Sequence, residues 1–208
     1  PMKKIFIFGF IISLFTASSN LLLTLDLLLI KSLIVENYVK LYTGYYTAVQ
    51  TIARIPFFLM VPINLVLFPI ISKSTFSQKN EETRYYINNG LRYNLAIMTL
   101  IVVLISSSSK EVILIIYSKE YLPAWSSLTV LSVGMLFYSL LITSSTIISS
   151  SGKPKISLII IVIVLILDVI LNYALIPKYE LMGASISTSL ASLLGLFIAA
   201  GYILSKFK

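Results

Sequence analysis

Apolar runs dominate this chain, and their lengths set its architecture. Six stand out, at about residues 5–34, 42–72, 90–107, 124–150, 156–176 and 181–205. Each is near or above the ~20 residues that a helix needs to cross a ~30 Å hydrocarbon core. The pattern therefore predicts an all-α polytopic membrane protein, a six-transmembrane-helix bundle making one lobe from residue 1 to residue 208. The polar positions divide the runs. Val35–Leu41 is expected to be a loop. Lys73–Asn89, the longest polar stretch, reads as a surface helix leading into the third span. Lys110–Pro123 reads as a short interfacial helix. Gly152-Lys153-Pro154-Lys155 is a tight basic turn, and Pro177-Lys178-Tyr179-Glu180 ends the fifth span.

Polar residues inside the runs carry more information than those between them. The second run holds Gln50, Arg54 and Asn64, with Pro56, Pro62 and Pro69 among them. An arginine at mid-helix in lipid costs about 2.5–3.5 kcal/mol on insertion scales. Prolines free backbone carbonyls, which neighbouring helices or a wet cavity must satisfy. Two accounts stand. Either the run is a bent wall facing something polar, or Arg54 sits near a helix end and snorkels to the interface. In the first run Ser13, Asn20, Thr24 and Lys31 are spaced by 7, 4 and 7 and share one helical stripe. Asp26 points well away from that stripe. Asp168 and Asn172 are four apart and share a face of the fifth span, as Gln50 and Arg54 do in the second. The charged groups at membrane depth, Asp26, Arg54 and Asp168, either pair to fix the bundle or line a cavity for an anionic head group or a coupling cation. The many serines and threonines of the fourth span read as helix packing.

Composition agrees with this picture and narrows the chemistry. The chain is 58% hydrophobic and 12% charged, about half the charged share of an ordinary soluble domain. Its mean hydropathy is +0.96. Phe6–Ile30 is too long for the apolar core of a cleavable signal, roughly 7–15 residues, so it is a retained helix. Neither cysteine nor histidine occurs, which removes thiol nucleophiles, disulfides and the usual zinc ligands. Paired carboxylates at short spacing and a phosphate-binding glycine loop are also lacking, and Gly152–Lys155 does not fit the P-loop pattern. The chain is not expected to be an enzyme, nor to carry a cofactor or metal. The formal charge of +8 is read by loop, not as nucleic-acid binding. With the N-terminus cytoplasmic, the inside segments hold ten lysines and arginines against five outside. That bias predicts a multi-pass protein of the cytoplasmic membrane with both termini inside.

Three stretches resemble a known family. Gly44–Ser72, GYYTAVQTIARIPFFLMVPINLVLFPIIS, resembles the "G-x-Y-x-A … P … lfP-x-iS" run of polysaccharide flippases in the MATE-like, or MOP, transporter superfamily. Tyr117–Ala124 is similar to the family's "fG-x-x-Y-x-x-A". Gly152–Lys155, then Leu171–Tyr179, then Gly183–Thr188 resemble "GK-x-K … LN-x-x-LIPkyG-x-GAAiaT". Glu180 and Ser118 stand where the pattern has glycine, and Ser185 where it has alanine. The resemblance implies the C-terminal half of a two-lobe transporter. This chain would then be a fragment, one product of a split gene, or one of two paired copies.

The implied activity is the flipping of a lipid-linked oligosaccharide, of undecaprenyl diphosphate type, across the cytoplasmic membrane by alternating access. Membrane lipids and a second six-helix lobe or copy are the implied partners. On charge and depth, Arg54, Lys31, Gln50 and Asn64 are candidate cargo contacts. Asp26, Asp168 and Asn172 are candidates for ion coupling or counter-charge. Two other readings remain open: a cation-coupled multidrug exporter of the same superfamily, and a membrane scaffold subunit without transport of its own.

Overall fold

A computed structural model describes residues 2–34 and 36–207. Val35, the first residue of the expected loop, and the two end residues Pro1 and Lys208 lie outside the described residues. Every element among the described residues is helical. In chain order they are α1 (Met2–Leu33), α2 (Glu36–Ala53), α3 (Ile55–Phe76), α4 (Asn80–Ser107), α5 (Ser109–Ile116), a 3-10 helix (Lys119–Ala124), α6 (Trp125–Ser150) and α7 (Pro154–Lys206).

Five of these, counting the 3-10 helix with α6, are long and apolar enough to cross a membrane among the described residues. The last is two helices joined at a reversal. Its 53 residues would reach about 80 Å if straight, far beyond one hydrocarbon core. At Glu180 the backbone leaves the helical region, with φ 51° and ψ −125°, and the chain doubles back. The halves 154–179 and 181–206 therefore match the fifth and sixth expected spans. Gly183 makes the reversal possible, because a Cβ there would overlap the backbone of Leu175 and come within 2.8 Å of Ile176 N. The helix runs through Pro177 to this break, so the turn itself ends the span, not the proline.

The second expected span is two helices, not one. α2 begins at Glu36, so most of the expected loop is helical, and the break comes at Arg54. Pro56 explains it. Its ring has no N–H to donate to Ile52, and it crowds the preceding turn. Hydrogen bonds resume on either side, from Arg54 N to Gln50 O (3.0 Å) and from Phe58 N to Arg54 O (3.2 Å). The surface helix expected over Lys73–Asn89 divides between the end of α3 and the start of α4, which continues unbroken into the third span.

α6 is the axis of the lobe. It packs on α2, α3, α4, α5 and α7, and most of its serines, Thr143 and Gly134 are buried. Small side chains let neighbouring backbones approach. At Gly134 a Cβ would overlap Ser189 Oγ and reach Ser189 Cα at 3.0 Å. α1 packs against α7 and α2. Around the perimeter large apolar side chains are exposed, among them Phe10, Leu65, Ile115 and Phe197, as expected where the surrounding medium is lipid.

Candidate functional site

Two polar centres lie inside this apolar bundle. The first is built on Asp26 of α1, which is 1% exposed. Three side chains donate to its carboxylate. Tyr46 Oη of α2 reaches Oδ2 at 2.7 Å, Thr188 Oγ1 of the second half of α7 reaches Oδ2 at 2.6 Å, and Asn172 Nδ2 of the first half reaches Oδ1 at 3.0 Å. Four helical segments thus converge on one carboxylate. Asp168, one turn before Asn172 and fully buried, lies beside Asp26 and near Asn172 and Thr188. Neither of its oxygens, nor Asn172 Oδ1, receives a hydrogen bond among the described residues. Burying acceptors without donors is costly, and burying adjacent anions more so. The bare Asp168 carboxyl and Asn172 amide oxygen, set beside the hydrogen-bonded Asp26, form a centre suited to a shared proton or a small hard cation.

The second centre is Arg54, at the joint between α2 and α3. Its Nη2 donates to the carbonyl of Leu23 on α1, and Gln50 Nε2 donates to the same oxygen at 2.9 Å. Half-buried, the guanidinium turns into the lobe within electrostatic reach of Asp26 and Tyr138. Its hydrogen bond runs across to α1. Arg54 does not pair with an acid, for the one ion pair among the described residues is Lys79–Glu82 at 2.7 Å.

One helical turn beyond Arg54 a groove opens between α1 and α3, floored by α6. Its volume is ≈ 450 Å³. Phe15, Phe57, Phe58, Leu65 and Ile142 give it apolar walls, and Thr16, Asn20, Asn64 and Thr146 give it polar points. Tyr138 closes it by donating to Ser19 O at 3.0 Å. Asn64 Oδ1 accepts from Thr143 Oγ1 at 2.9 Å, and Thr143 in turn accepts from Asn94 Nδ2 at 2.5 Å.

The structure brings together Asp26, Asp168 and Asn172, joins Gln50 to Arg54, and places Asn64 on the groove. Lys31 stands apart. It is exposed at the far end of α1, about 16 Å along the helix from Asn20. The stripe of Ser13, Asn20, Thr24 and Lys31 faces out of the lobe, and Asp26 faces in. Tyr46, Thr188 and Tyr138 were not singled out from the sequence. A hydroxyl in an apolar run has no signature until its partner is known.

Comparison with known proteins follows from this geometry. The family model described as "Lipid II flippase MurJ" matches residues 4–207. The chain is 27% identical over 187 residues to "Uncharacterized membrane protein MJ1068" of Methanocaldococcus jannaschii, covering 90% of this chain and 36% of that one. It is 26% identical over 168 residues to "Capsular polysaccharide biosynthesis protein CapF" of Staphylococcus aureus, covering 80% and 42%. It therefore spans less than half the length of the curated relatives it matches. Among solved structures it resembles the lipid II flippase MurJ in an inward closed conformation, with TM-score 0.75, 20% identity and coverage of 89% and 41%. It also resembles an outward-facing multidrug resistance MATE family transporter of the MOP superfamily, with TM-score 0.74, 13% identity and coverage of 90% and 44%. At such identities the structural likeness speaks for the fold alone. The match over nearly all of the sequence goes further: this chain belongs to the family of the lipid II flippase MurJ.

Proposed function

We propose that the chain is one lobe of a transporter that flips a lipid-linked oligosaccharide across the cytoplasmic membrane, with both termini on the cytoplasmic side. The observation that carries the reading is Arg54. A guanidinium without an acid partner is held at the head of an apolar groove by a backbone carbonyl. A lipid diphosphate carries the opposite charge and an apolar chain, and guanidinium forks match phosphate oxygens. Asn64, Asn20 and Thr16 offer hydrogen bonds along the groove. Gln50 steadies the arginine through their shared acceptor, Leu23 O. Lys31, remote from the groove, takes no part in this reading.

The carboxyl centre supplies the coupling. Asp26 ties α1 to both halves of α7, through Asn172 on the first and Thr188 on the second. A proton or cation arriving between Asp26 and the orphaned oxygens of Asp168 and Asn172 would change how tightly those segments hold together. A second lobe or second copy would face the groove and complete the cavity, so that alternating access exposes it to one side at a time. The match to a capsular polysaccharide biosynthesis protein supports a glycan cargo. A cationic drug is the poorer fit, because the acids are sealed inside the bundle and the charge beside the groove is positive.

The test is export in cells that depend on this protein in its complete transporter. Loss of the protein should remove surface glycan and leave the lipid-linked precursor on the inner leaflet. Arg54→Ala in the same setting should reproduce that build-up, with Arg54→Lys partly restoring export. Normal export by Arg54→Ala would overturn the assignment.

A further inference from the structure

The rim of the lobe opposite the N-terminus carries an aromatic surface that the transport reading leaves unused. Tyr38, Tyr42 and Tyr45 lie along one face of α2, and Tyr121 and Tyr117 lie on and beside the 3-10 helix. Their rings form an unbroken chain. Centroids are 6.3 Å apart from Tyr38 to Tyr42, 6.4 Å from Tyr42 to Tyr45, 5.6 Å from Tyr45 to Tyr121 and 5.0 Å from Tyr121 to Tyr117. Two pockets open along this chain and share Tyr45. One, of ≈ 420 Å³, adds Asn37, Lys40 and Glu120. The other, of ≈ 380 Å³, adds Pro123 and Glu180. Both volumes lie in the range of small-molecule sites, about 300–1,000 Å³.

Glu180 shows that this rim is built with care. It holds a left-handed φ of 51°, a conformation that favours glycine. Its carboxylate accepts the Tyr42 hydroxyl at 2.5 Å. The same reversal of α7 sets this exposed carboxylate at the edge of the second pocket.

We infer that this rim is a sugar-binding platform, where tyrosine faces stack on the C–H faces of pyranose rings and Asn37, Glu120 and Glu180 bind the hydroxyls around them. A sugar ring has an apolar face and a polar edge, and here aromatic faces alternate with carboxylate and amide groups on that pattern. An acyl chain lying along the two pockets would cover Asn37, Glu120 and Glu180 without bonding them. A phosphate would meet two carboxylates against one lysine. The ligand class is therefore the uncharged saccharide, bound at the sugar end of the cargo and apart from Arg54. An aromatic belt that only anchors the lobe at the interface is the competing account, and it makes a different prediction.

The inference rests on a glycan cargo, yet it can be tested without transport. The full chain in lipid nanodiscs is titrated with maltotriose and with chitotriose, followed by saturation-transfer NMR, with inorganic pyrophosphate as the charged control. At least one trisaccharide should bind, and pyrophosphate should not compete with it. Tyr45→Ala and Tyr121→Ala should each weaken binding by about tenfold. Tyr121→Phe should retain most of it, since the ring face remains, and Glu120→Gln should weaken it several-fold while the fold is kept. Failure of both sugars to bind would overturn the platform, as would binding that survives both alanine variants. Alanine variants that change only thermal stability would assign the tyrosines to the belt. Export assays with Arg54→Ala keep the two ideas separate, because that variant should lose export while still binding trisaccharide.

Discussion

Asp26 and Arg54 sit less than a helix length apart in one apolar bundle, and they are handled in opposite ways. The acid is sealed. Three hydroxyl or amide donors from three other segments close over it, and a second buried acid stands beside it. The arginine is held by one backbone oxygen and stays half open beside a groove. On the transport reading proposed above, the difference separates two tasks: the sealed acid centre would take a proton or a bare ion, and the half-open arginine would meet a head group. Depth in the membrane made both residues candidates. Burial and partners divide their roles.

The largest expected effect breaks the acid centre. Asp26→Ala leaves the Tyr46 and Asn172 donors without an acceptor, each buried loss costing about 1–3 kcal/mol, while Thr188 keeps only Ala184 O. Thermal unfolding in detergent should fall sharply and transport should vanish. Asp168→Asn sharpens the point by separating coupling from stability. An amide there can donate to Asp26, so unfolding should stay level or rise while transport loses its dependence on the driving ion. Retention of that dependence would reduce Asp168 to a packing residue.

Next in size is Arg54→Ala. Export should drop by about tenfold or more, as expected for losing a charge-assisted contact, with a smaller change in melting temperature than Asp26→Ala produces. If stability fell as far as export, the arginine would be structural like the acid, and the contrast would fail. Tyr46→Phe removes one donor of the three and should cost about 1 kcal/mol, visible as a modest shift in melting temperature. The smallest effect is Lys31→Ala, an exposed residue with stability expected to change within about 0.5 kcal/mol. Export should remain normal, and a defect there would return Lys31 to the cargo path.

The all-helical membrane class was readable because lipid imposes a length rule on apolar runs. The boundaries were less so. Pro56 was visible, but the residue at which it would break the helix was not, and the break fell on Arg54. Asp168 and Asn172 were recognisably on one face, since four residues make about one turn. That Asp26, 142 and 146 positions earlier in the sequence, would meet them was not legible, because no periodicity links α1 to α7. Tyr46 and Thr188 were missed for the same reason.

Sequence alone determined the all-helical membrane class of this protein and which few residues would be expensive in lipid, because transfer from water to hydrocarbon depends on residue type and run length. Only the tertiary structure decided which of those residues share a centre and which stand alone. A buried polar group is settled by partners on other helices, and those partners are chosen by packing around α6, where small side chains set how closely the segments meet.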